Sequence, residues 1–249
     1  MITDDFVIFF IVSVDKDLLK PIPREIYSDL VDHDNVRCFR IQNSTSFCSF
    51  KEQVAEEFGV PVQYQRFWLW EKRQNRIYRL RRPLTPEDET QSLRELSNED
   101  DSAELKLFLE VEFGPDLHPI RPPRKTKEDI LLFFKLYDPI KEELSYVGRM
   151  FVKSGTNIWS SNIYTKLYKL AGFSQGQEAD FFKDVNFEPT FLCKPFDKTL
   201  SFGANQVADG DILYFQKSPV VGNWQQFLYP DVPSFLEFLH NRKVWLSPF

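Results

Sequence analysis

Two aspartates one residue apart, Asp209 and Asp211, flank Gly210 in the stretch VADGDILYFQK. Carboxylates at this spacing can contribute to a divalent-cation site or divide general-acid and general-base work. A metal site needs further His, Asp or Glu ligands, and none is evident nearby in the sequence, so no metal and no cofactor is expected. Asp-Gly is also a turn signal, and the apolar run that follows it suits a central strand. A tight turn with solvated carboxylates is therefore the plain reading of the motif.

The other chemistry-bearing residues are sparse. A cysteine protease needs a thiolate, a histidine base and an orienting Asn or Asp. The candidates are Cys38, Cys48 and Cys193, with His33, His118 and His240. Cys38 falls in a predicted strand, Cys48 at a helix start and Cys193 in a loop. His33 lies in VDHDN, which reads as a turn. This distribution points to cysteines packing as small hydrophobes rather than to catalysis. The run KRQNRIYRLRRP (72–83) combines basic residues with a tyrosine, a pattern also met in nucleic-acid binding. An acidic stretch, EDET (87–90), follows it directly, so a self-compensating loop is expected and no nucleic-acid partner.

These residues are set in a chain of 249 with 25 Phe but only nine Gly. That composition supports real hydrophobic cores and argues against glycine-rich phosphate loops. No apolar run reaches the ~18 residues of a membrane span. FVIFFIVSV (6–14) follows two aspartates rather than lysines, so it reads as a strand and not a signal peptide. Three scattered cysteines without CxxC spacing fit a reducing compartment, nucleus or cytoplasm. The charge is uneven. Residues 1–117 carry 15 Lys and Arg against 23 Asp and Glu, whereas residues 118–249 carry 16 against 14.

One pattern occurs twice along the chain. In the first half, strands are predicted at 6–14, 36–41, 64–70 and 104–112. A helix lies between the second and third, with Phe47, Phe50, Val54 and Phe58 on one face. Ser49 and Glu52 resemble a capping box at its start, and Gly59 suits a left-handed cap at its end. In the second half the strands are 129–138, 144–152, 179–185 and 211–216. The helix there carries Ile163, Leu167 and Leu170, with Gly172 after it. A Pro-rich basic linker, HPIRPPRKTKE (118–128), separates the halves, and a short amphipathic helix is predicted at 232–239.

The helix-to-strand passage of the first half, through Lys51, Val54, Gly59, Val60, Pro61, Gln65 and Arg66, resembles ubiquitin. More broadly, FKEQVAEEFGVPVQYQRFWLWEKRQNRIYRLRRPLTP, KEDILLFFKLYDP, LSYVGRMFV, DGDILYFQK and YPDVPSFLEFL resemble the herpesvirus-associated ubiquitin-specific protease family, and its plant MATH-containing members in particular. The resemblance implies an α+β fold of two tandem ubiquitin-like β-grasp domains with a short C-terminal helical tail. The first domain would be 1–117, the linker 118–128, the second domain 129–218 and the tail 219–249.

It further implies a non-catalytic interaction module from a cysteine-type deubiquitinase whose catalytic domain is not in this chain. Such a module would recruit partners or substrates, or regulate the catalytic domain. A structural spacer and a catalytically dead adaptor are the alternatives. In the family, the turn matching Asp209 and Asp211 receives Lys-containing segments of partners. The two preceding positions, acidic in relatives, are Asn205 and Gln206 here. Alignment with ubiquitin would also turn Trp68 and Trp70 outward as a second partner surface. Neither a membrane nor a nucleic acid is implied.

Overall fold

The computed structural model describes residues 5–13, 27–30, 37–42, 44–73, 77–97, 104–114, 116, 118–174, 176–186, 192–218 and 227–246. The chain divides into two compact units. Unit 1 draws on 1–14, 31–71 and 80–124, and unit 2 on 15–30, 72–79 and 125–249.

Unit 1 is built on a sheet of β1 (Asp5–Ser13), β2 (Arg37–Gln42), β3 (Gln65–Lys72), β4 (Tyr78–Pro83) and β5 (Glu104–Phe113), in the order β2-β1-β5-β3-β4. A short β6 (Pro119–Ile120) adds to β5. β1 and β5 run parallel, and β3 is antiparallel to β5. Helix α1 (Phe47–Phe58) packs Phe47, Phe50 and Val54 against Phe67, Leu69, Leu107 and Leu109 of the sheet. Its N-cap is Ser46, whose Oγ accepts from the Ser49 backbone N–H at 3.2 Å. The capping box expected at Ser49 therefore lies three residues too late. Gly59 closes the helix at φ 66°, a conformation that glycine adopts without a Cβ penalty. A second, short helix, α2 (Leu93–Ser97), adds Leu93 and Leu96 to the same core.

Gln65 ties the helix to the sheet. Its Nε2 donates to the carbonyls of Lys51 at 3.1 Å and Val60 at 2.7 Å. Both bonds are buried. Gln65→Leu removes the donor and strands two carbonyls, an expected loss of about 1–3 kcal/mol. Urea unfolding checks it, and a midpoint equal to wild type would refute the assignment.

Unit 2 has a sheet of β7 (Asp129–Asp138), β8 (Glu143–Lys153), β9 (Ala179–Asn186), β10 (Leu192–Pro195) and β11 (Ile212–Lys217), ordered β10-β9-β11-β7-β8. β7 and β11 are parallel neighbours and the other pairs are antiparallel. The run DILLFFKLYD is apolar on both faces because both are covered. Leu132 and Phe134 join Leu213, Phe215 and the α3 (Ile163–Ala171) residues Ile163 and Leu167 in one core. On the other face, Tyr137 stacks on Phe235 of α4 (Val232–Leu246) with ring centroids 4.7 Å apart. Gln216 Oε1 accepts from the Val232 N–H at 2.7 Å. The helix predicted over 232–239 thus extends further, and its Phe235, Leu236 and Leu239 are buried.

The expected class, α+β with two tandem ubiquitin-like β-grasp domains and a short helical tail, is corrected by this architecture. The described residues are mostly β, with two sheets and four α-helices. Each unit also gathers separated stretches of chain. The extra strands β4, β6 and β10 fall in segments that carry no clean alternation, so local patterning reads them as loop or linker.

Candidate interaction site

Trp68 and Trp70 are 0% and 3% exposed, which corrects the outward orientation expected of them. They alternate with Phe67 and Leu69 along β3, so they do lie on the sheet face opposite the α1 core. That face is also buried. Trp68 Nε1 donates to Glu110 Oε2 at 2.6 Å, and Trp70 stacks on Phe108 at 6.0 Å. Arg66 Nη1 lies 3.4 Å from the same Glu110 oxygen. The pattern of alternation separates two faces but does not say whether the second is wet.

Asp209-Gly210-Asp211 is a turn, as its residue types require. Gly210 sits at φ 81°, and its N–H donates to the Leu131 carbonyl at 2.8 Å. The carboxylates are not simply solvated. Asp209 Oδ1 accepts from the Leu131 N–H at 2.7 Å, and its Oδ2 is 3.0 Å from Lys125 Nζ. Asp211 is buried. Its Oδ2 accepts from the Ala208 N–H at 3.0 Å and lies 2.9 Å from Lys183 Nζ, while its Oδ1 pairs with Arg73. Burial works to raise the Asp211 carboxyl, but Arg73 and Lys183 outweigh it and hold it below the usual range. The turn thus fastens β11 to the start of β7, and internal cations hold its charge.

Beside this turn, unit 2 encloses a cleft of about 230 Å³. Arg73, Arg79, Lys183 and Lys194 line it, with Asp184, Asp211, Asn205 and Gln206. Arg79 Nη2 donates to Asp184 Oδ2 at 2.6 Å, with side chains only 2% and 4% exposed. Burial raises the Asp184 carboxyl, and the Arg79 guanidinium pulls against that rise. Arg73 Nη2 also donates to the Asp209 carbonyl at 2.6 Å. Asn205 Nδ2 donates to the carbonyls of Asp197 at 2.9 Å and Ser201 at 3.0 Å, so its amide locks the preceding loop. Gln206 adopts φ 56°, and its carbonyl accepts from Lys183 Nζ.

Sequence reasoning treats the run 72–83 as one solvated loop, and the structure corrects this for the residues described. Arg79 is 1% exposed and lies in β4. Its buried partner Asp184 is 105 positions away. No local signal announces that pairing. Of the histidine candidates, His33 lies outside the described residues. His118 is exposed, and His240 Nδ1 is 3.0 Å from the Tyr27 hydroxyl. Among the described residues no group of three or more His, Cys, Asp or Glu is placed to hold a metal ion. No described helix is long and apolar enough to cross a membrane.

The cleft sets fixed charges on a β scaffold, and comparison with known proteins gives the class. Over residues 65–246 the chain matches the ICP0-binding domain of Ubiquitin-specific protease 7, and it belongs to that family. Among curated proteins it is 55% identical over 236 residues to Ubiquitin C-terminal hydrolase 12 of Arabidopsis thaliana. It is 53% identical over 236 residues to Ubiquitin C-terminal hydrolase 13 of the same plant. Each alignment covers 94% of this chain and 21% of the relative, so the chain spans about a fifth of their length. Ubiquitin carboxyl-terminal hydrolase 5 of Schizosaccharomyces pombe is 25% identical over 193 residues, 76% of this chain and 17% of that protein. The resemblance to ubiquitin-specific proteases read from the sequence is borne out.

Proposed function

We propose that this chain is a non-catalytic protein-interaction module of a ubiquitin-specific protease. It recruits partners or substrates, or regulates the catalytic domain, in protein deubiquitination in the nucleus and cytoplasm. The observation that carries this reading is the match over 65–246 to a domain described by its binding of another protein. Relatives that are cysteine-type hydrolases over their full length share only this region with the chain.

Cys38 and Cys48 are exposed, which corrects their expected packing as small hydrophobes, while Cys193 supports the same reading. Burial pushes the Cys193 thiol well above its ordinary range, with Asp184 and Asp231 adding to the effect. A protease nucleophile needs the opposite shift, toward thiolate. The Lys-containing partner segments implied by the family resemblance would reach Asp209 and Asp211 only by exchanging with Lys125, Arg73 and Lys183.

The test of the non-catalytic part is direct. The purified chain is incubated with ubiquitin carrying a fluorogenic C-terminal amide. The expected rate equals that of buffer, and it does not change when Cys38, Cys48 and Cys193 are all replaced by serine. Turnover that depends on any of the three thiols would overturn the reading.

A further inference from the structure

Two observations about the unit 2 cleft do not follow from its family. First, its charges do not balance. Arg79 and Asp184 satisfy one another, but Asp211 alone faces both Arg73 and Lys183. Lys194 also lines the cleft, is exposed, and makes no ion pair among the described residues. Asn205 and Gln206 put no charge on the rim. Four cations thus face two carboxylates around an open space of about 230 Å³. Second, the cations stay reachable. The Arg73 and Lys183 side chains keep 26% and 19% of their exposure, whereas that of Asp211 keeps 3%. An incoming group therefore meets guanidinium and ammonium N–H donors before it meets a carboxylate.

We infer that this cleft binds an oxyanion displayed on an acidic segment of a protein partner, through Lys194, Lys183 and Arg73. The inference rests on the reading of the chain as an interaction module and names the chemistry of its partner. Arg73 has N–H donors beyond the two that hold Asp211 and the Asp209 carbonyl, and its planar fork suits bidentate contact with a carboxylate or phosphate. Lys183 has three donors and spends them on Asp211 and the Gln206 carbonyl. Lys194 is exposed at the rim and makes no ion pair among the described residues. A lysine-bearing segment would face repulsion from all three.

The test titrates the full chain with three probes: hexaglutamate, a peptide of the same length with one phosphoserine among glycines, and hexalysine. Binding is read by isothermal titration and by the amide shifts of Lys194, Asn205 and Gln206. Both acidic probes are expected to bind, to shift those amides, and to weaken steeply with added salt. Lys194→Glu lies on the surface and leaves folding intact, and it should cut affinity at least tenfold. Arg73→Gln should do the same. The two acidic probes compared with each other tell whether carboxylate or phosphate is preferred.

Binding of hexalysine but not the acidic probes overturns the inference. So does acidic binding that is unchanged in Lys194→Glu, and so does the absence of binding by any probe. If such a result coincides with saturable capture of protein partners by the same chain, the cleft assignment fails and the interaction-module reading stands. If no protein is captured either, that reading fails as well.

Discussion

Asp184→Ala is expected to destabilise unit 2 by about 3–5 kcal/mol, among the largest effects of any single substitution in the chain. The Asp184 and Arg79 side chains are 4% and 2% exposed and meet at 2.6 Å. Removing the carboxylate strands a guanidinium whose side chain is only 2% exposed. Among the described residues, Arg79 then keeps the Tyr78 carbonyl, at 2.9 Å, as its acceptor. The arithmetic of buried pairs makes a second variant informative. Bringing two charges out of water costs nearly as much as their attraction returns, so the double replacement Arg79→Met/Asp184→Leu should recover most of the loss. Urea unfolding of wild type, Asp184→Ala and the double variant measures both statements. A single-variant loss below about 1 kcal/mol, the level of a surface ion pair, would show that the pair is solvated instead.

The second large effect is a pH dependence set by Lys135. This residue lies in the middle of β7 and is 2% exposed, and its Nζ donates to the carbonyls of Tyr27 at 3.0 Å and Asp29 at 2.6 Å. Burial lowers its pKa to about 7; Arg79 adds to the lowering, while Asp29 and Asp184 oppose it. In the unfolded chain the value returns to about 10.4. Between those values the unfolded chain binds the proton that the folded chain gives up. Stability contributed by Lys135 therefore rises with pH across roughly 7 to 10 and is least below that window. Full expression of the shift would amount to roughly 5 kcal/mol, which is an upper bound. Lys135→Met should remove this rise, so the stability difference between variant and wild type changes steadily from pH 7 to 10. A difference that stays constant across the window would mean that Lys135 keeps its charge on folding.

The parts of this protein that were legible in its sequence are those with local signals. Phe47, Phe50 and Val54 recur at helical spacing, and Gly59 and Gly172 stop their helices in the left-handed conformation. Asp209-Gly210 marks a turn, and it is one. What escaped is non-local. The alternation of Phe67, Trp68, Leu69 and Trp70 shows two faces but not that both are buried. The dense basic run 72–83 hides Arg79, whose partner is far away in the chain. Lys135 interrupts an apolar run that otherwise reads as pure core, and the carbonyls of Tyr27 and Asp29, which accept from its ammonium, help the interior hold it. The same limit applies to the candidate site. Its turn could be read from two residues, but its electrostatics depend on Lys125, Arg73, Lys183 and Lys194, which no spacing rule connects to it. Fold class failed for a related reason: strands β4, β6 and β10 are short or irregularly patterned, and unit 2 draws on residues 72–79, which run from the end of β3 into the start of β4.

The most direct test of the central claim, that this chain acts by binding proteins, is quantitative capture. The immobilised full chain is exposed to plant nuclear extract, retained proteins are identified by mass, and each is purified and titrated back against wild type, Lys194→Glu and Asp209→Lys. The account predicts a small set of proteins that bind saturably, at one site per chain, with acidic segments and with loss of affinity in Lys194→Glu. Retention of nothing beyond the bare matrix, or only of proteins that fail to bind when purified, would contradict it.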